Sequence, residues 1–306
     1  MIKIKIGTRG SKLALWQANF IASKLAENNF DVEIVKVHTT GDKILNAPLA
    51  KIGGKGLFTK ELETQLAAGK IDIAVHSLKD VPTELDDAFK IAAITGRENP
   101  FDAFVSNTYK TFDELPTGAI IGTSSLRRAA QILILRPDLR VENLRGNVDT
   151  RLKKLDDGNF DAVILAAAGL KRLGYDSRIN QILTQIIPAA GQGALAVEIR
   201  ADDNKTFDAV KFLNDDETCA AVKVERDFLL AVQGSCQIPV GVHAEVDGEN
   251  ISVQAVIAAV DGKTFVKDYA VEKIKNVDNF GKNFARKLLD NGGREILDAL
   301  NNKMEE

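Results

Sequence analysis

The stretch Ala119-Ile120-Ile121-Gly122-Thr123-Ser124-Ser125-Leu126-Arg127-Arg128 reads as an apolar strand, a turn of small hydroxyl residues and the first turn of a helix. An earlier stretch, Ile6-Gly7-Thr8-Arg9-Gly10-Ser11, has the same plan: a strand ends at Gly-Thr and a helix follows. A second echo lies downstream of each. Gly69-Lys70-Ile71-Asp72-Ile73-Ala74-Val75 and Gly158-Asn159-Phe160-Asp161-Ala162-Val163-Ile164 both follow a helix, place glycine at its stop and lead into a buried strand. Two echoes in one order predict two related lobes. Each lobe would turn a helix N-terminus, with its free N–H groups and hydroxyls, toward a shared cleft, a pre-built anion site.

Outward from these stretches, short apolar strands alternate with helix-period segments, the pattern of parallel α/β folds. Strands are expected over residues 2–6, 32–37, 71–75, 91–94, 119–122, 141–143, 162–165 and 195–199. Helices are expected over 11–27, 57–68, 126–135 and 148–156. Chain crossings between lobes are expected near 95–100 and 189–193, both containing glycine and proline in or beside the stretch. Beyond Asp215 the style changes to a long helix over 217–232, strands over 241–246, 251–260 and 264–271, and a helix over about 277–300. The expected division is lobe 1 over 1–95 and 194–214, lobe 2 over 96–193, and a smaller C-terminal α+β domain over 215–306.

The chain has 306 residues, enough for two or three domains with ordinary cores. Its 40 Lys and Arg nearly balance 43 Asp and Glu, which excludes bulk binding to nucleic acid or a membrane surface but leaves a focused basic cleft. The start, Met1-Ile2-Lys3-Ile4-Lys5-Ile6, alternates like a strand and lacks the apolar core of a signal peptide; no apolar run reaches membrane-spanning length. Cys219 and Cys236 cannot make a disulfide framework, so a reducing, cytoplasmic setting is expected. His38, His76 and His243 are widely spaced and no zinc spacing occurs, so no metal is expected.

Between Gly122 and Arg151 stand Arg127, Arg128, Arg136, Arg140, Arg145 and Arg151, among hydroxyls and glycines such as Leu144-Arg145-Gly146-Asn147. The guanidinium fork fits carboxylate or phosphate, so this surplus beside turns points to an anion site; a solvated, salt-bridged helix face is the other reading. In Ala74-Val75-His76-Ser77-Leu78-Lys79-Asp80-Val81-Pro82 a buried strand delivers Ser77, Lys79 and Asp80 to its carboxyl end, where α/β sheets bind ligands. Asp80 is also compatible with an ordinary turn carboxylate. Cys236, in Gly234-Ser235-Cys236-Gln237-Ile238-Pro239, falls on a loop between helix and strand, while Cys219 lies on an apolar-rich helix as a small core residue. An accessible thiol is either a nucleophile or attachment point, or an incidental surface cysteine.

Taken together the chain closely resembles the porphobilinogen deaminase (hydroxymethylbilane synthase) family. The resemblance is carried by residues 7–18 (Gly-Thr-Arg-Gly-Ser-Lys-Leu-Ala-Leu-Trp-Gln-Ala), 51–58, 76–82, 122–128, 144–148, 168–173, 191–193 and 234–239, in that order. It implies two periplasmic-binding-protein-like α/β lobes joined by a hinge, plus the C-terminal α+β domain. It also implies an enzyme that joins porphobilinogen molecules head to tail with loss of ammonia. The product grows on a dipyrromethane cofactor held by a thioether to a cysteine, here Cys236. Ser235 stands where many relatives have a second glycine. By the same resemblance Asp80 is catalytic, and the binders are Arg9, Ser11, Lys55, Phe58, Lys79, Thr123, Ser124, Ser125, Arg127, Arg128, Arg145, Gly146, Arg151, Arg172 and Gln192. A monomer acting on a small molecule, with no nucleic-acid or membrane partner, is implied. The rival reading is a non-enzymatic two-lobed receptor for small anions.

Overall fold

The computed structural model describes residues 2–38, 59–232 and 238–305. The chain divides into two compact units, Met1–Glu98 with Gly193–Cys219 and Asn99–Gln192 with Ala220–Glu306. It passes from one to the other after Glu98 and after Gln192, and again within a helix at Cys219.

The first unit contains β1 (Lys3–Arg9), α1 (Lys12–Glu27), β2 (Asp31–Val37), α2 (Lys60–Ala67), β3 (Ile73–Ser77), β4 (Phe89–Ile94), β10 (Leu195–Arg200) and α6 (Asn204–Val210), numbered by position in the whole chain. Its sheet runs β2-β1-β3-β10-β4. The first three strands are parallel, whereas β10 is antiparallel to both β3 and β4. The expectation of a parallel sheet is corrected here, because the returning chain enters between β3 and β4 in the opposite sense. Ser11 caps α1 by accepting from the Ala14 N–H. Ala18, Ile21 and Leu25, spaced three and four apart, then lay one helical stripe on Ile4, Ile6, Ile73, Val75 and Val197. On the opposite face, Leu62 and Leu66 of α2 pack with Ile71 and Ala74. Each fully buried leucine or isoleucine contributes about 1.5–3 kcal/mol.

The second unit holds β5 (Asp102–Val105), β6 (Ile120–Gly122), α3 (Leu126–Leu135), β7 (Arg140–Glu142), α4 (Val148–Asp156), β8 (Ala162–Ala166), α5 (Ala167–Arg172) and β9 (Gln181–Leu183). The sheet order is β7-β6-β8-β5-β9, with β6 parallel to β7 and β8, and β5 antiparallel to β8 and β9. That is the order of the first sheet, position for position, with β5 standing where β10 stands. The repetition extends to single atoms. Asp72 accepts the Lys5 N–H at 2.8 Å and Asp161 accepts the Ile120 N–H at 2.7 Å, each just before the third strand of its sheet. Gly7 and Gly122 are both covered by a large side chain from that same entry: a Cβ would sit 2.2 Å from Ile71 Cδ1 at Gly7 and 2.9 Å from Phe160 Cδ1 at Gly122.

A third sheet, β11 (Val240–Asp247), β12 (Asn250–Ala258) and β13 (Phe265–Lys273), is an antiparallel meander. It packs on α7 (Asp216–Ala231), α8 (Phe280–Leu288) and α9 (Arg294–Glu305), with Val224, Phe228, Ile251, Val253, Phe284 and Leu288 at the centre. The single helix expected over 277–300 is interrupted. Gly292 adopts φ 106° between α8 and α9, and a Cβ at Gly293 would sit 2.7 Å from the Leu288 carbonyl oxygen. Cys219 is half-buried, not a fully enclosed core residue as expected.

Candidate active site

In the first unit β3 ends at Ser77 and a 3-10 turn, Leu78–Asp80, follows. The turn is anchored by buried Leu78, whose N–H donates to the Ala194 carbonyl at 3.0 Å. Asp80 is left exposed at the carboxyl end of the sheet and Lys79 half-buried. Asp80 lines a pocket with Arg9 from the end of β1, Ser11 at the α1 N-terminus, Gln17, His76 and Ser77. Three residues expected from sequence, Arg9, Ser11 and Asp80, are thus brought to one concavity by three separate elements. Gln17 and Ser77 brace its wall through a 2.7 Å hydrogen bond. Behind them His76 Nε2 lies 2.7 Å from Glu198 Oε2, with Glu198 fully buried.

The second unit sorts the arginines into three kinds. Arg136 makes a bidentate pair with Asp138 (2.8 and 2.7 Å), and Arg140 pairs with Glu142 on the surface at 3.2 Å; both are salt-bridged, but one follows the end of α3 and the other stands on β7, so neither is on a helix face. Arg145 and Arg151 are half-buried around the turn at Gly146. Arg151 Nε donates to the Gly146 carbonyl at 2.8 Å, and Gly146 holds φ 117° with Thr150 so close that a Cβ would sit 2.6 Å from its methyl. Arg127 and Arg128 are 6% and 5% exposed, which decides against a solvated face for both.

Those two converge on Asp102, a residue not singled out from sequence. Asp102 opens β5 and is fully buried. Arg128 Nη2 donates to its Oδ1 at 2.7 Å, and Arg127 Nη2 stands 2.8 Å from Oδ2. The remaining ends are held by backbone: Arg127 Nη1 donates to the Ile187 carbonyl (2.7 Å) and Arg128 Nη1 to the Ile164 carbonyl (3.1 Å). Gln192 joins the cluster, its amide donating to Asp102 Oδ1 at 2.8 Å and to the Pro100 carbonyl at 2.6 Å. Burial alone would raise the Asp102 carboxyl. The charges of Arg127 and Arg128, with hydrogen bonds from Arg128 and Gln192, outweigh it and hold the group well below the usual carboxylate range.

The hydroxyls serve the helix start. Ser125 caps α3 by accepting from the Arg128 N–H, and its own N–H donates to Thr123 Oγ1 at 3.2 Å. Ser124 Oγ lies 2.5 Å from both Asn143 Oδ1 and the Leu144 carbonyl, which ties the α3 turn to the loop of Arg145. Arg172 ends α5 and is half-buried. Lys55, Phe58 and Cys236 lie outside the described residues. Among the described residues no group of His, Cys, Asp and Glu could hold a metal ion, and no helix is long and apolar enough to cross a membrane.

These features define a repeated α/β protein with cationic and hydroxyl-lined strand-to-helix turns. Residues 4–208 match the family model described as porphobilinogen deaminase, dipyromethane cofactor binding domain, and residues 219–290 match porphobilinogen deaminase, C-terminal domain. The chain belongs to the porphobilinogen deaminase family. It is 49% identical over 299 residues to the porphobilinogen deaminase of Geobacter sulfurreducens, covering 96% of this chain and 94% of that one. It is also 49% identical over 300 residues to that of Trichlorobacter lovleyi, covering 97% and 96%. Among solved structures, a periplasmic substrate-binding protein from Coxiella burnetii overlaps with a TM-score of 0.45 at 15% identity, covering 69% of this chain and 91% of that one.

The residues present fit a polycarboxylate pyrrole cofactor. The Nε atoms of Arg128 and Arg145 are buried and have no hydrogen-bond partner among the described residues. A buried guanidinium N–H without an acceptor is costly, and a carboxylate is the acceptor it matches best.

Proposed function

We propose that the chain condenses four porphobilinogen molecules head to tail with loss of ammonia and frees the linear hydroxymethylbilane by hydrolysis, a step of tetrapyrrole biosynthesis. The observation that carries this reading is the 49% identity over nearly the full chain with a porphobilinogen deaminase, together with the match of residues 4–208 to the family's cofactor-binding domain. Dipyrromethane supplies, when bound, a tethered pyrrole from which the product is extended. Cys236 would hold it by a thioether, and Arg128, Arg145, Arg151, Arg172, Lys55, Thr123, Ser124, Ser125 and Gln192 would hold or frame its acetate and propionate groups. Arg9, Ser11 and Lys79 would orient the incoming substrate's carboxylates, and Phe58 would lie against a pyrrole face.

Asp80 is assigned the chemistry. Loss of ammonia from porphobilinogen develops positive charge that is shared onto the pyrrole nitrogen. A carboxylate accepting that N–H stabilises the charge as it forms. The same group can relay a proton to the leaving amine and take the α-proton released on coupling. Its exposed place beside Arg9 and Ser11 supports this, since those groups can hold substrate carboxylates while Asp80 faces the ring. The full assignment comprises a single cytoplasmic chain, with lobe 1 over 1–95 and 194–214, lobe 2 over 96–193 and a third domain over 215–306.

Intact mass of the purified protein tests the reading. Wild type carries an increment of dipyrrole size, Cys236→Ala carries none, and Asp80→Asn keeps the increment but loses most turnover of porphobilinogen. A passive small-anion receptor predicts no increment in any of them. An unmodified, inactive wild-type chain would overturn the assignment.

A further inference from the structure

The two adjacent arginines at the start of α3 are not equivalent, and the difference is set by Asp102. Arg127 is committed at both ends of its fork, to the Ile187 carbonyl and to Asp102 Oδ2. Arg128 gives one nitrogen to the Ile164 carbonyl and one to Asp102 Oδ1, and keeps a buried Nε with no partner among the described residues. Two guanidinium charges share one carboxylate, so a net positive charge stays in a place that is almost closed to water. Gln192 occupies the remaining face of Oδ1 and is itself held by the Pro100 carbonyl. A purely stabilising core would be better served by apolar residues, because buried charge clusters rarely repay their desolvation. The fold has instead built one strut and one oriented cation on a shared anchor.

We propose that Asp102 is a positioning residue of the cofactor site: it fixes Arg127 and Gln192 as a frame and aims Arg128 so that its Nε edge and the unbalanced charge are left for a ligand carboxylate. This inference rests on the proposed function. It has a consequence opposite to simple electrostatics. Removing the Asp102 charge raises the local positive charge, so Coulomb attraction alone predicts tighter retention of a polycarboxylate. Positioning predicts weaker retention, because Arg128 loses the contact that orients it.

The test compares the purified full chain as wild type, Asp102→Asn, Asp102→Glu and the charge-balanced Asp102→Asn/Arg127→Gln. Readouts are the fraction of chains carrying the dipyrrole increment by intact mass, the KM for porphobilinogen, and the Tm. In folded Asp102→Asn and in the double variant the loaded fraction is expected to fall about tenfold or more, the loss of one charge-assisted hydrogen bond. The carboxylate of Asp102→Glu keeps the charge but moves the anchor, so the expected result is a raised KM with a smaller change in kcat. Full loading in Asp102→Asn overturns the proposal, as does recovery of loading in the double variant, which would make charge balance the whole effect. If the asparagine variants fail to fold, Asp102→Glu decides: loading and KM equal to wild type at lowered Tm mean a structural role only. A wild type without any increment defeats the underlying function instead, which keeps the two failures apart.

Discussion

Glu225 on α7 offers the sharpest test of how the fold supports the site. It is fully buried, and its two carboxylate oxygens accept the N–H of Gly191 at 2.7 Å and of Ala244 at 2.8 Å; His243 Nδ1 lies 3.3 Å from Oε1. One side chain therefore joins the loop before β10 to β11. Glu225→Ala strips the acceptor from two buried backbone donors, each costing about 1–3 kcal/mol, so about 2–6 kcal/mol in all. Glu225→Gln keeps one acceptor oxygen and turns an NH2 toward the other donor, so its cost is about half. The assay is amide hydrogen exchange resolved at Gly191, together with urea unfolding. A loss of about 1–3 kcal/mol at one amide speeds its exchange by roughly 5- to 150-fold, and the alanine variant unfolds at the lowest urea concentration of the three. Gly191 precedes Gln192, whose amide reaches Asp102, so dipyrrole loading should fall along with Gly191 protection. Unchanged protection at Gly191 in a folded Glu225→Ala protein would refute the reasoning.

Two further outcomes follow from local geometry. Gly193 holds φ 95°, and a Cβ there would sit 2.2 Å from the Glu98 carbonyl oxygen, so Gly193→Ala should destabilise by about 1–3 kcal/mol; an unaltered urea midpoint would contradict it. Asp138 titrates at about 2, chiefly because Arg136 donates a hydrogen bond to its charged form. Its folded value lies below the unfolded one of about 3.9, so the pair's contribution is present above that pH and fades as pH falls through about 2. Carboxyl NMR should show that midpoint, moving back toward about 3.9 in Arg136→Gln; a wild-type midpoint already near 3.9 would remove the pair from the stability of this turn.

Elements announced by local signals were legible in the sequence. The expected α3 and α4 coincide with Leu126–Leu135 and Val148–Asp156, because Ser125 and Asn147 mark their starts as caps. The echo at Gly7 and Gly122 pointed to two related lobes, since strand, turn and helix succession is written along the chain; the strand order that the two sheets share was not read from it. Strand direction was not legible: Leu195–Arg200 has the apolar run of a buried strand in either sense, and only the return from the second unit makes it antiparallel. The site divides in the same way. Asp80 and the hydroxyl turns stood out by their places after apolar strands. The sorting of the arginines did not, because Asp102 stands 26 positions from Arg128 in the chain and neighbours it only once β5 lies beside β8. Helix-breaking at Gly292 was present in the Gly-Gly pair but was masked by the helical period on either side.

The place of β10 also constrains the order of synthesis. β3 and β4 do not pair with each other; the gap between them is filled by Leu195–Arg200, whereas the second sheet has all its strands by Leu183. On the ribosome the middle of the protein can therefore close before its beginning can. Until residue 200 has emerged, the N-terminal strands wait with two unzipped edges in the heart of their sheet, the condition in which a nascent chain most needs a chaperone.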